Sequence, residues 1–236
     1  MTRVGIIDSC GGALEGIDAA PLEDASWVAD AAAFAARDGR VQCLESVADP
    51  TGHGSRIAEL LISGRPVELL LGQVFTTLGP TSAAAVAAAI DWAVERRAGL
   101  IHLSLGLAGD RAVLGLAVQR ALDAGCIIVA ATPARGASVY PAAYPGVIRA
   151  TGDARCAPHE LSALRPWLFG GCPRLEAASF TANRRAQSHA SGGASIGAAW
   201  VTHAILQEPP LAAPAAVEAL TARAKYRGPE RRNQNV

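Results

Sequence analysis

Three side chains far apart in the chain have the types and the neighbours that nucleophilic acyl transfer requires. Asp8 closes a short β-branched run, Val4-Gly5-Ile6-Ile7; His53 stands between Gly52 and Gly54; Ser191 stands before Gly192 and Gly193. An alcohol attacks a carbonyl efficiently when a base within hydrogen-bond reach takes its proton, and a carboxylate behind that base fixes its tautomer and steadies the cation that forms. Small neighbours let a substrate backbone come close, and a helix opening at the serine turns peptide N–H groups toward a developing oxyanion. Ser188 and Ser195 compete with Ser191 for the hydroxyl role; the flanking glycines and the register with the alanine-rich stretch that follows favour Ser191. Each residue alone also has a bland reading. Asp8 suits any strand end, His53 any glycine-rich turn, and Cys10 is a small buried filler before it is a reactive thiol.

Such side chains need a scaffold that brings them together. Residues 4–7 read as a buried parallel strand that delivers Asp8 at its carboxyl end. Residues 13 to about 40 read as helix and loop, and residues 41–47 as the second strand. Apolar Ile57, Leu60 and Leu61 at helical spacing make residues 53–64 a helix with His53 at its start. Residues 67–75 read as a strand, 81–99 as a helix with a Thr/Ser start, 100–106 as a strand, 111–125 as a helix and 126–132 as a strand. Residues 153–187 read as irregular with one or two short strands, 191–206 as a helix, and 215–225 as a short helix. The polar tail from Tyr226 reads as frayed. This alternation implies an α/β fold, a mostly parallel sheet with helices on both faces, whose ligand site lies beyond the carboxyl ends of the strands. Asp8, Gly106 and Thr132 fall at such ends. We expect one domain over residues 1–236, with its core over about 3–207 and a C-terminal helix and tail over 208–236.

Composition removes several function classes. Lys plus Arg and Asp plus Glu both total 21, so the formal net charge is zero and no general attraction to nucleic acid or an anionic membrane is expected. No uncharged apolar stretch reaches the roughly 20 residues that span a bilayer. Five cysteines, Cys10, Cys43, Cys126, Cys156 and Cys172, are odd in number and form no CxxC pair, so neither a disulfide framework nor a zinc site is expected. His102, His159, His189 and His203 read as structural or exposed. Neither G-x-G-x-x-G nor a Walker A loop is present, which disfavours a nucleotide-binding reading of the strand–helix alternation.

In order along residues 4–206, the chain resembles the subtilisin-like serine peptidases. The order Asp, His, Ser is the order of that family. VGIIDSCGG is similar to its apolar strand ending on Asp, with Cys10 where Gly is usual. GHGSRIAELL resembles its His-Gly-Thr-His-Val-Ala-Gly helix, with Ser55 and Arg56 replacing the Thr and second His. AIDWAVERRAGLIHLSLG looks like the stretch ending in its Ser-Leu-Gly substrate strand, and GCIIVAAT and YPAAYPGVIRATG resemble the next strand and the Tyr-Pro-Ala segment.

The resemblance implies a three-layer α/β fold, an Asp8–His53–Ser191 triad, and Ser104, Leu105 and Gly106 alongside a polypeptide substrate. It implies no cofactor, and no Asp-x-Asp loop announces a calcium site, so no metal is expected. The serine segment departs most: the family reads Gly-Thr-Ser-x-Ala-x-Pro-His-Val-Ala-Gly, and this chain reads HASGGASIGAAWV. Pro133-Ala134 stands where the family has Gly-Asn, so the Asn donor to the oxyanion is missing. Losing one such donor typically costs roughly 10²–10³ in turnover. The Ser191 N–H, the Thr132 hydroxyl and the Asn183 amide are the candidate substitutes. With Asp8 so near the first residue, no signal peptide or pro-segment is expected, and cytoplasmic residence with limited cleavage of one leader-bearing precursor is the expectation. The competing expectation is a catalytically impaired scaffold of the same fold that binds a peptide or assembles a complex.

Overall fold

A computed structural model describes residues 2–11, 28–63, 65–76, 80–174 and 193–230. Among them, ten strands form one sheet: β1 (Thr2–Asp8), β2 (Val28–Arg37), β3 (Arg40–Leu44), β4 (Val67–Gln73), β5 (Leu100–Leu103), β6 (Ile127–Ala131), β7 (Ile148–Gly152), β8 (Leu161–Arg165), β9 (Leu168–Gly171) and β10 (Tyr226–Arg227). Their spatial order is β10-β8-β9-β7-β6-β5-β1-β4-β2-β3. The pairs are parallel except for the β2–β3 and β8–β9 hairpins. Five helices are described: α1 (His53–Ile62), α2 (Ala83–Glu95), α3 (Ala112–Asp123), α4 (Ala194–Leu206) and α5 (Ala213–Arg223).

The strand period of two sorts the central side chains onto two faces. Val4 and Ile6, Leu69 and Leu71, Leu100, and Ile127 and Val129 join a core built with α1, α4 and α5. Ile7, Leu70, Ile101, Leu103, Ile128 and Ala130 join a second core with α2 and α3. Strands buried on both faces read as near-continuous apolar runs, which is what these segments are. The same alternation aims Asp8, two residues beyond Ile6, and Ser104, four beyond Leu100, toward the face that carries α1 and α4.

Most sequence expectations for the parallel strands and helices hold, with three corrections. Residues 28–37, expected as helix and loop, are strand β2, which pairs with β4 and buries Ala32 to Ala35. Burial within the sheet overrides the helix preference of alanine. Second, the expected second strand is β3, an exposed edge strand antiparallel to β2 and not a member of the buried parallel set. Asp38 and Gly39 join the two with φ of 49° and 75°, the left-handed pair that a two-residue hairpin requires. Third, the tail expected to fray contributes Tyr226 and Arg227 as β10, parallel to β8. The strand β7 had no sequence assignment, and the helix expected from Ser191 is described from Ala194.

Candidate active site

Asp8 ends β1 and is 1 % exposed. Such a carboxylate persists only with donors around it. Its Oδ1 accepts the Ser9 N–H at 2.6 Å and the Ser9 hydroxyl at 3.1 Å. The imidazole of His53, first residue of α1, supplies the third donor: Nδ1 lies 2.8 Å from Oδ1 and 2.9 Å from Oδ2. A carboxylate only accepts, so Nδ1 carries the proton and Nε2 of the neutral ring holds a lone pair. Burial alone would lower the pKa of His53, but the hydrogen bond it donates to Asp8, the Asp8 charge and, further off, Asp49 outweigh it and hold it above the usual 6.5.

The loop that aims His53 is tied by Asp49, which sequence reasoning missed. Its Oδ1 accepts the N–H groups of Thr51 at 3.0 Å and Gly52 at 2.8 Å, and its Oδ2 accepts the Ser55 N–H and hydroxyl, each at 2.8 Å. Asp49 thus caps α1 where the N-cap residue Gly52, at φ 69°, has no side chain to do so. Burial raises its pKa, and the two Ser55 hydrogen bonds and that of Thr51 bring it below the usual carboxylate value. Ser9 joins the strand end to this loop, since its hydroxyl pairs with that of Thr51 at 2.8 Å and accepts the Gly54 N–H at 3.0 Å. Gln73, at the end of β4, donates to the carbonyls of Ser9 at 2.8 Å and Val47 at 3.1 Å. Gly54 must lack a side chain: a Cβ there would stand 2.8 Å from Cys10 Cβ, with the Cys10 backbone nitrogen nearer still. Cys10 itself is fully buried, and burial with the Asp8 and Asp49 charges pushes its thiol well above 9.0, which makes it filler and not a nucleophile.

The β1–β5 register runs from Val4 opposite Leu100 to Ile7 opposite Leu103, so the next step sets Asp8 beside Ser104. Ser104 and Leu105 are buried and Gly106 is exposed. Beyond them Leu107 pairs with Tyr140 through bonds of 2.7 and 2.9 Å. Thr132 follows β6, half-buried, with its N–H donated to Ala150 at 2.8 Å, and Pro133 and Ala134 are exposed. Ser188, Ser191 and Asn183 lie outside the described residues. Ser195 is described: it is the second residue of α4, half-buried, and its hydroxyl donates to the Ser104 carbonyl at 3.2 Å. The motif the family carries at its serine, Gly-Thr-Ser-x-Ala-x-Pro-His-Val, can be laid without a gap on Gly193-Ala194-Ser195, where it matches Gly193, Ser195 and Val201. Among the described residues no group of three or more His, Cys, Asp or Glu could hold a metal ion, all five cysteines are free, and no helix is long and apolar enough to cross a membrane.

No protein-family model matches the chain. Its sequence is 33% identical over 113 residues to the thermostable alkaline protease of Halalkalibacterium halodurans, a stretch covering 42% of this chain and 31% of that protein. The match therefore spans about a third of that relative's length. In structure the chain resembles the S41 psychrophilic protease, with a TM-score of 0.61 and 16% identity over 96% of this chain and 85% of that one. It also resembles fervidolysin from Fervidobacterium pennivorans, a keratinolytic enzyme related to subtilisin, with a TM-score of 0.57 and 19% identity over 90% of this chain and 37% of that one. The fold is thus the three-layer subtilisin-like α/β fold. The relatives that carry it are proteases.

Proposed function

We propose that the chain is a serine endopeptidase of limited specificity. The observation that carries this reading is the buried Asp8 carboxylate, bonded at 2.8 Å to the imidazole of a half-exposed His53 at the carboxyl edge of the sheet. That arrangement leaves Nε2 as the base. It takes the proton of a serine as the oxygen attacks the scissile carbonyl, then gives that proton to the leaving amine, and water repeats the cycle on the acyl-enzyme. Asp8 stays ionised and steadies the imidazolium.

Two serines contend for the nucleophile. The flanking glycines speak for Ser191; for Ser195 speak its position in the first turn of α4 and its contact with the carbonyl of Ser104, which the β1–β5 register sets beside Asp8. The described geometry supports Ser195. The backbone N–H groups of that turn would receive the oxyanion, and Thr132, beyond the end of β6, remains a candidate second donor. With Ala134 where the family has its Asn, slow turnover on chosen substrates fits better than general digestion. The ordered Asp8–His53 pair also speaks against an inert scaffold, which has no need of a base.

We favour a leader-bearing precursor as substrate, within the cytoplasm. The first to test is the small subunit of quinohemoprotein amine dehydrogenase, because the sequence resembles the small subtilisin-like maturation protease of that enzyme's biogenesis. Incubation of the purified chain with candidate precursors, followed by mass spectrometry, should reveal one cut between leader and core that is absent with His53→Ala. Intact precursors, together with intact unfolded general substrates, would refute the peptidase reading.

A further inference from the structure

One buried histidine has no part in the chemistry above. His102 lies on β5 with no exposed surface. Its Nε2 is 2.6 Å from the Ser104 hydroxyl and its Nδ1 is 2.8 Å from the Thr202 hydroxyl. Thr202 follows Ser195 by seven residues on α4, two helical turns, so the two share one face of that helix. That face therefore grips the end of β5 twice: Ser195 at the Ser104 carbonyl, and Thr202 through His102 at the Ser104 hydroxyl.

A neutral imidazole has one donor and one acceptor, so the line Thr202–His102–Ser104 has a direction. Burial first, with the His53 charge in the same sense and Asp8 opposing, takes the pKa of His102 down to about 4; at neutral pH the ring is uncharged. The direction follows from the nearest anion. Continuing the β1–β5 register sets Asp8 beside the Ser104 end, so a line of hydrogens that point toward Ser104 is favoured over one that points away. Thr202 then donates to Nδ1, and Nε2–H donates to Ser104.

We propose that His102 is a positioning residue, held as a single Nε2–H tautomer, which locks Ser104 to the serine-bearing face of α4. The proposal rests on the peptidase reading, in which Ser104 flanks the substrate and α4 carries the nucleophile. Its consequence lies in alignment: a displacement of about 1 Å at such a point can cost about 10² in rate.

Two measurements test it. In protein labelled with ¹⁵N-histidine at pH 7, with the His102 signals assigned by their loss in His102→Gln, we expect an unprotonated Nδ1 and a protonated Nε2. The opposite tautomer, or exchange between the two, overturns the proposal whether or not the protein cleaves anything. In peptide hydrolysis, Thr202→Val should lower kcat about tenfold with KM within about twofold, and Thr202→Ser should recover most of the loss. Wild-type kcat in Thr202→Val would also overturn it. If Thr202→Val does not fold, the tautomer measurement alone decides. A wild-type protein that neither cleaves peptides nor reacts with a serine probe defeats the peptidase reading instead, and the tautomer still tests His102.

Discussion

A carboxylate with no proton to give decides which imidazole nitrogen can take one from a serine. Because Asp8 bonds Nδ1 of His53 through both oxygens, Asp8→Asn should leave the fold intact and lower kcat by about 10⁴, through loss of the correct tautomer. The pH–rate profile carries a second signature. His53 must be neutral to act, and its pKa is raised, so kcat/KM should fall on the acid side with a midpoint above 6.5. Asp8→Asn should move that limb to lower pH, since the attraction that holds the proton is gone. An acid limb that does not move would detach His53 from Asp8. At this scale the sequence was informative where chemistry and local neighbours coincide, as at Asp8 and His53. It was silent on Asp49, whose contacts with Thr51, Gly52 and Ser55 depend on a loop folding back over a helix start, although an Asp just upstream of a Gly-His helix entry is itself a capping signal. The choice of serine stays open on local grounds, since glycine neighbours favour Ser191, which lies outside the described residues, while Ser195 is described in the first turn of α4.

Elements hold these residues in place, and α4 bears most of the load. Gly197, one turn beyond Gly193, packs so closely on β7 that a Cβ would stand 2.7 Å from Gly152 Cα and closer still to the Thr151 carbonyl. Gly197→Ala should therefore cost about 1–3 kcal/mol of stability and lower kcat as the helix start shifts, with thermal melts and peptide hydrolysis as the measures. An unchanged melting temperature would show that α4 can yield without harm. Periodicity made the parallel strands and the helices legible. It failed at β2, where an alanine-rich stretch has no periodicity of its own to report and only burial against β4 makes it a strand. The Asp38-Gly39 turn was the overlooked local clue.

For the whole molecule, the two cores on either side of the sheet also bury titratable groups. Burial lowers His102 and His203 to about 4 each, with the charges of His159 and Arg223 adding at His203. A histidine depressed in the folded state takes up its proton first in the unfolded chain, so its stabilising effect is whole above pH 6.5 and drains as pH falls toward 4. At His102 this amounts to on the order of 3 kcal/mol. His53, raised in the fold, has the opposite sign, but its contribution is already complete below pH 6.5 and is lost only as pH rises above it, outside this window. Unfolding midpoints from circular dichroism should thus decline between pH 6.5 and 4; a flat or rising series would contradict the burial of these rings. The overall architecture was legible because strand and helix alternate along the chain, while the edge strand β10 was not, since its two residues gain strand character only from β8.

The most direct test is reaction with a fluorophosphonate, which captures only a serine whose proton has been taken by a base. The account predicts that the wild-type chain is labelled, that the label maps to Ser195, and that it is lost in Ser195→Ala and in His53→Ala but kept in Ser191→Ala. A wild-type protein that takes no label, or a label that survives His53→Ala undiminished, would contradict it.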